Sequence, residues 1–227
     1  MKPPLGAGMP RPLDRSPPLC GRIMPATIIQ TSAPHALTPT DQDLRYPPGD
    51  LAIWIFILAE LLVFATFFAS YAFARLQQPA LFDHYQASLN RDLALINTLA
   101  LITSSYFVVR AVAAIRDGAA RTCQGWLWAA VAMGGLFVAV KLVEYGHHLA
   151  QGVTLSTNTF YMFYLSLTFF HFLHVMLGMV ILAAVALKTR RGGYSVADHV
   201  GVESGASYWH MVDLVWLILF PLVYVMR

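Results

Sequence analysis

Ten ionisable side chains interrupt otherwise apolar stretches of this 227-residue chain: Glu60, Lys141, Glu144, His147, His148, His171, His174, Glu203, His210 and Asp213. Carboxylates and imidazoles ligate metals and carry protons, so their spacing is the first clue to chemistry. Three chemistries compete. His174 and His210 fall at one depth on different helices, as two axial haem ligands must. Glu144-Tyr-Gly-His147 has the Glu-x-x-His spacing of a di-iron carboxylate site, which puts both ligands on one helix face. That site needs a second such motif and two further glutamates, and the sequence holds one motif. Glu60, His171 and Asp213 share a third level and make a candidate proton relay along a transport path. Transporters tend to carry repeats or Gly/Pro-broken helix pairs. Neither is found here, and Pro221 sits too near the end of its helix. The residues themselves favour a fourth reading, a non-catalytic bundle whose polar groups knit helices together or hold lipid headgroups and a partner. The sequence offers no nucleophile–base pair, phosphate-binding glycine loop or complete metal set.

The elements that position these residues follow from composition. The chain is 57% hydrophobic and only 12% charged, against about 25% charged in a soluble domain. With a mean hydropathy of +0.57, this excludes a disordered protein, a collagen and an ordinary soluble enzyme; the excess apolar surface must face lipid. Net charge is +3, and five of the 15 basic residues lie in the first 45 positions, so the charge does not point to nucleic acid. Cys20 and Cys123 are too few for a disulfide framework and lack metal-type spacing. Residues 1–48 hold 11 of the 13 prolines and are expected to form a disordered or extended tail. The tail has no signal-peptide core. Arg11, Arg15 and Arg22 faintly match a transit peptide, which the prolines argue against; Met9 and Met24 are alternative starts.

Five apolar stretches follow, at about 51–74, 93–115, 126–149, 160–187 and 203–226. Each has about 20 residues or more, enough to span a hydrocarbon core of about 30 Å. At 1.5 Å per residue, Glu60 lies about 14 Å from the inner end of its helix, His171 about 16 Å from the outer end, and Asp213 about 15 Å from the inner end. A hydrogen-bonded Glu60–His171–Asp213 cluster is therefore expected between three helices. Lys141 and Glu144 are three apart and are expected to pair near the outer surface. Gly134, Gly135 and Gly178 would let helices approach closely, and Trp126 and Trp128 sit where interface aromatics belong. With the tail inside, Arg45, Arg110, Arg116, Arg121, Lys188, Arg190 and Arg191 are inner, against Arg75, Arg91 and Arg227 outside. That bias predicts a cytoplasmic N-terminus and a periplasmic C-terminus, with both cysteines on the reducing side.

The stretch Glu203-Ser-Gly-Ala-Ser-Tyr-Trp-His-Met-Val-Asp-Leu-Val-Trp-Leu, running into Ile-Leu-Phe-Pro-Leu-Val-Tyr, resembles the last helix of subunit III of haem-copper respiratory oxidases. Three other segments agree: Trp54-Ile-Phe-Ile-Leu-Ala-Glu60-Leu-Leu-Val-Phe64, Lys141-Leu-Val-Glu144-Tyr145, and Phe170-His171-Phe-Leu-His174-Val-Met-Leu-Gly178. The resemblance spans about 48–227. Five helices match the short form, as in quinol oxidases, rather than the seven-helix form. Pro48–Trp54 and Asn97–Ser105 look closest to the subunit-III-like protein associated with nitric oxide reductase. The resemblance implies a non-catalytic chain with no haem, copper or other metal of its own, those being expected in the partner catalytic subunit. It implies bound phospholipid between helices, with support for proton uptake and for the integrity of the catalytic subunit. In the long form a lipid-filled cleft separates the first two helices from the rest, so lipid at that surface depends here on a partner.

Carried over, Glu60, His171, His174, Glu203, His210 and Asp213, with Lys141 and Glu144, become buried polar residues that contact other helices, lipid or the partner. The chain thus reads as an all-α integral membrane bundle: a tail over 1–48 and a five-helix domain over 49–227, in a bacterial inner membrane. The alternative is a stand-alone membrane protein, either a nitric oxide reductase assembly or activation factor or a proton-coupled transporter.

Overall fold

A computed structural model describes residues 50–226. The proline-rich segment 1–48, Cys20 and Arg227 lie outside the described residues. Six α-helices follow in order: α1 (Leu51–Gln77), α2 (Pro79–Ala87), α3 (Arg91–Arg116), α4 (Ala120–Ala150), α5 (Thr159–Arg190) and α6 (Val200–Phe220). A π-helical turn, Pro221–Val225, ends the last. All but α2 are long and apolar enough to cross a membrane, giving five spans. No strand occurs among the described residues, so the all-α, five-span fold stands.

Local chemistry sets the helix starts. Asp50 accepts the Ala52 N–H at 3.2 Å, Asn90 accepts from Asp92 and Leu93, and Asn158 accepts the Tyr161 N–H at 2.8 Å. Each side-chain oxygen satisfies donors that a helix N-terminus leaves without partners. In lipid a side-chain hydroxyl has no water to bond, and Thr66, Ser70, Thr103 and Thr168 each donate to the carbonyl four residues back. The segment 75–92, read from sequence as a plain break, contains α2. Pro79 suits the first helical turn, where its missing N–H costs nothing. Phe82 is fully buried, edge-on to Tyr71 and Phe160 at 5.3 and 5.5 Å. Arg75 binds Asp83, Gln86 and the Met226 carbonyl, tying α1, α2 and the chain's last described turn together.

α3, α4, α5 and α6 close a ring, each packing on the next and α6 returning to α3. α1 lies outside it, against α6 and α5. Only 11% of α1's apolar span is buried, against 56% of α6's, so α1 turns Ile55, Leu58, Leu62 and Phe73 outward. Trp209 of α6 is fully buried in the ring. A Cβ at Gly134 of α4 or at Gly178 of α5 would lie 2.8 Å from its indole. These two glycines therefore make room for an intruding tryptophan from a third helix, and Gly135 does not share that role.

Gly178→Ala should overpack Trp209 and cost about 1–3 kcal/mol. Gly146, with nothing within 4 Å of its would-be Cβ, should accept alanine with a gain of about 0.5–1 kcal/mol. Thermal unfolding of both variants in one detergent measures the difference; equal stabilities would contradict this packing.

Candidate functional site

The polar interior divides into three groups. The first surrounds Lys141 on α4, which is fully buried beside a Glu144 that is 6% exposed. The Lys141 ammonium donates to Glu144 Oε2 at 2.9 Å and to the Tyr224 hydroxyl at 2.7 Å. Tyr224 in turn donates to Glu144 Oε1 at 2.9 Å, and Tyr164 of α5 donates to the same oxygen. Lys141 also faces the Trp216 ring, 5.1 Å from its centroid, where the π-face favours a cation. The Trp216 N–H donates to Thr98 of α3 at 2.9 Å. One cation and one anion thus neutralise each other, and two phenols complete their hydrogen bonds. The expected Lys141–Glu144 pair forms in the last third of α4, turned into the bundle. The spacing of three along α4 signals the pair; nothing local to Tyr164 or Tyr224 marks them as its partners. After Pro221 the chain widens into a π turn closed by the Met226 N–H on the Pro221 carbonyl at 2.8 Å, and Tyr224 within it is fully buried.

The second group joins α1 to α5. His174 Nε2 meets Glu60 Oε2 at 2.9 Å, while Nδ1 lies 2.8 Å from the Phe170 carbonyl. A carbonyl only accepts, so Nδ1 carries a proton. A single further proton, shared between Nε2 and the carboxyl, leaves the pair neutral on either side. His171 is fully buried, stacked on Trp216 at 5.1 Å and edge-on to Phe137 at 5.7 Å. Among the described residues neither of its ring nitrogens has a hydrogen-bond partner. The expected Glu60–His171–Asp213 cluster is therefore corrected. Residues 171 and 174 are three apart, so they point about 60° apart around α5. α1 packs on the side of His174, and His171 faces the ring's aromatic interior. Asp213 is 8% exposed, its Oδ1 is without a partner among the described residues, and its neighbour is Ser105.

The third group joins α3 to α6. His210 Nδ1 lies 2.6 Å from the Ser105 hydroxyl. Arg116 binds Glu203 with Nη2 at 2.6 Å and Nε at 3.2 Å, and His199 Nε2 lies 3.2 Å from the same Glu203 oxygen. His174 and His210 are thus held by different partners on different helices, and the haem-ligand pair does not assemble. The Glu144-x-x-His147 spacing does not converge either. Glu144 turns inward to Lys141, while His147 is exposed and bonds Gln151 at 2.9 Å. Among the described residues no three His, Cys, Asp or Glu side chains are disposed to hold a metal ion. Ser105, Arg116, Tyr164 and Tyr224 complete these groups in roles that the sequence does not mark, because hydroxyls are common and Arg116 counts there only toward the charge bias.

Comparison with known proteins adds a family. Residues 49–227 match the family described as cytochrome c oxidase subunit III. The chain is 34% identical over 207 residues to cytochrome c oxidase subunit 3 of Synechocystis sp., covering 89% of this chain and 88% of that one. It is also 34% identical over 177 residues to cytochrome c oxidase subunit 3 of Thermostichus vulcanus, covering 78% and 86%. Quinol oxidase subunit 3 of Bacillus subtilis is 28% identical over 176 residues, covering 78% and 86%.

Lys141→Ala should destabilise the bundle by about 3–5 kcal/mol, because it leaves the Glu144 carboxylate buried without its cation. Combining it with Glu144→Gln should recover part of that loss. Melting temperatures in detergent test this; equal losses for the single and double variants would sink it.

Proposed function

The chain belongs to the cytochrome c oxidase subunit III family, and from that premise we propose how it serves a haem-copper oxidase. It is the non-catalytic subunit III, embedded with five spans and packed beside the catalytic subunit, which carries the haem and copper. The observation that carries this reading is the family match over 49–227, which includes all five membrane-spanning helices and every polar group described above. A structural role is supported by the ion pairs, with buried Lys141 engaged by Glu144 and the exposed Arg116 engaged by Glu203. Glu60–His174 pins α1, the least buried span, to the ring. With α1 so fixed, its outward face and the membrane phospholipid around it form the surface on which the catalytic subunit is steadied and its proton uptake sustained.

The membrane is a bacterial inner membrane, with the N-terminus cytoplasmic and the C-terminus periplasmic, as the seven-to-three bias of basic residues favours. The partner is an oxidase. The relatives named above are cytochrome c and quinol oxidase subunits, whereas a nitric oxide reductase partner rests on Pro48–Trp54 and Asn97–Ser105 alone.

A mild-detergent pull-down of the chain from its native membrane, read by visible spectrum and mass spectrometry, tests the assignment. Haem absorbance with a co-purifying oxidase catalytic subunit is expected. A colourless, partner-free protein would contradict it and favour a maturation factor or transporter, and a nitric oxide reductase catalytic subunit would replace the oxidase as partner. A periplasm-active reporter fused after Arg227 should be active; an inactive one would overturn the orientation.

A further inference from the structure

Between α1, α4 and α5 lies a cavity of about 540 Å³. Gly152, with a φ of 74°, turns the chain back after α4, and Val153 and Leu155 of the following connection join its lining. The volume falls in the range of small-molecule sites, about 300–1,000 Å³. Phe67, Tyr145 and Phe169 supply aromatic walls from the three helices. Two polar groups besides the tyrosine reach this lining, His148 of α4 and Ser166 of α5.

Both are without partners. His148 is 8% exposed, its ring edge-on to Tyr161 and Tyr164 at 5.9 and 5.6 Å. Its imidazole makes no hydrogen bond among the described residues, and Nδ1 is closed off from solvent. Ser166 also makes none, although Thr66, Ser70, Thr103 and Thr168 all satisfy their hydroxyls on the backbone. Nδ1 is closed off, so the groups that a ligand in this apolar cavity can bond are His148 Nε2 and the Ser166 hydroxyl, and each hydrogen bond made there replaces one that lipid cannot supply.

The lining decides which ligand. Among the described residues it contains no Lys or Arg, so a phospholipid phosphate would enter without a counter-charge. An acyl chain would fill the space and leave both polar groups unpaired. His148 and Ser166 line the cavity from two different helices, and a flat ring with oxygens on opposite edges can accept from both. We propose that this cavity binds a neutral isoprenoid quinone, its ring among the aromatic walls, His148 and Ser166 on its oxygens and its tail running out between the helices. The site is one of binding, and no electron transfer is assigned to it. The proposal stands apart from the oxidase assignment, because it rests on the cavity alone.

The test uses the full chain in phospholipid nanodiscs, labelled with a photoreactive azido-ubiquinone and mapped by mass spectrometry. Saturable labelling within 145–170 is expected, competed by decylubiquinone and not by added phosphatidylglycerol. His148→Phe should weaken binding about tenfold and Ser166→Ala a few-fold, as loss of single hydrogen bonds predicts, with melting temperature retained. If His148→Phe does not fold, Ser166→Ala and Phe169→Ala give the same readout. Labelling spread over the outward face of α1, competition by phosphatidylglycerol, or unchanged affinity in all variants would overturn the proposal; the second outcome would name an acyl chain as the occupant.

Discussion

A lysine ammonium has no place in a bilayer without a counter-ion, and the arrangement of α4, α5 and α6 follows from where Lys141 finds its partners. Burying an isolated charge costs several kcal/mol, and pairing offsets this only when the remaining donors and acceptors are also met. Glu144 provides the charge from the same helix. Tyr164 and Tyr224 provide the remaining hydrogen bonds from α5 and from the turn beyond α6. Trp216, lying between Lys141 and His171, carries the connection to α3 through Thr98. One buried charge thus fixes four helices relative to one another.

The other contacts repeat that logic at lower cost. Lipid supplies no hydrophobic drive for helices to associate, so polar links and close packing must hold them. α1 is fastened to α5 by Glu60–His174. α3 is fastened to α6 by Ser105–His210 and Arg116–Glu203. Trp209, seated over Gly134 and Gly178, supplies the tight packing at the ring's centre. On the outward surface, hydroxyls fold back onto their own helices and leave the exterior apolar.

What the sequence reveals divides along the same line. The five spans are legible because a hydrocarbon core imposes length and apolarity on any helix that crosses it. The Lys141–Glu144 pair is legible because both residues share one helix and a spacing of three. The midplane cluster misleads because depth can be counted along each helix while rotation about the axis cannot. His171 and Glu60 share a level but face different neighbours, and His174, one turn away, takes the carboxyl. Tyr164 and Tyr224 are invisible for a related reason, since their role depends on helix pairing and on the π turn after Pro221. α2 is missed because nine residues with a modest apolar face look like a loop until Phe82 finds Tyr71 and Phe160.

The family match makes the chain a subunit III of a haem-copper oxidase, and the role proposed for it is to support catalysis in a neighbour. The measurement that bears most directly on this is oxygen consumption over time in membranes from a strain lacking the chain. The account predicts that the catalytic subunit keeps its haem spectrum and initial turnover but loses activity sooner than in membranes that contain the chain. Identical turnover and identical lifetime in the two membranes would contradict it.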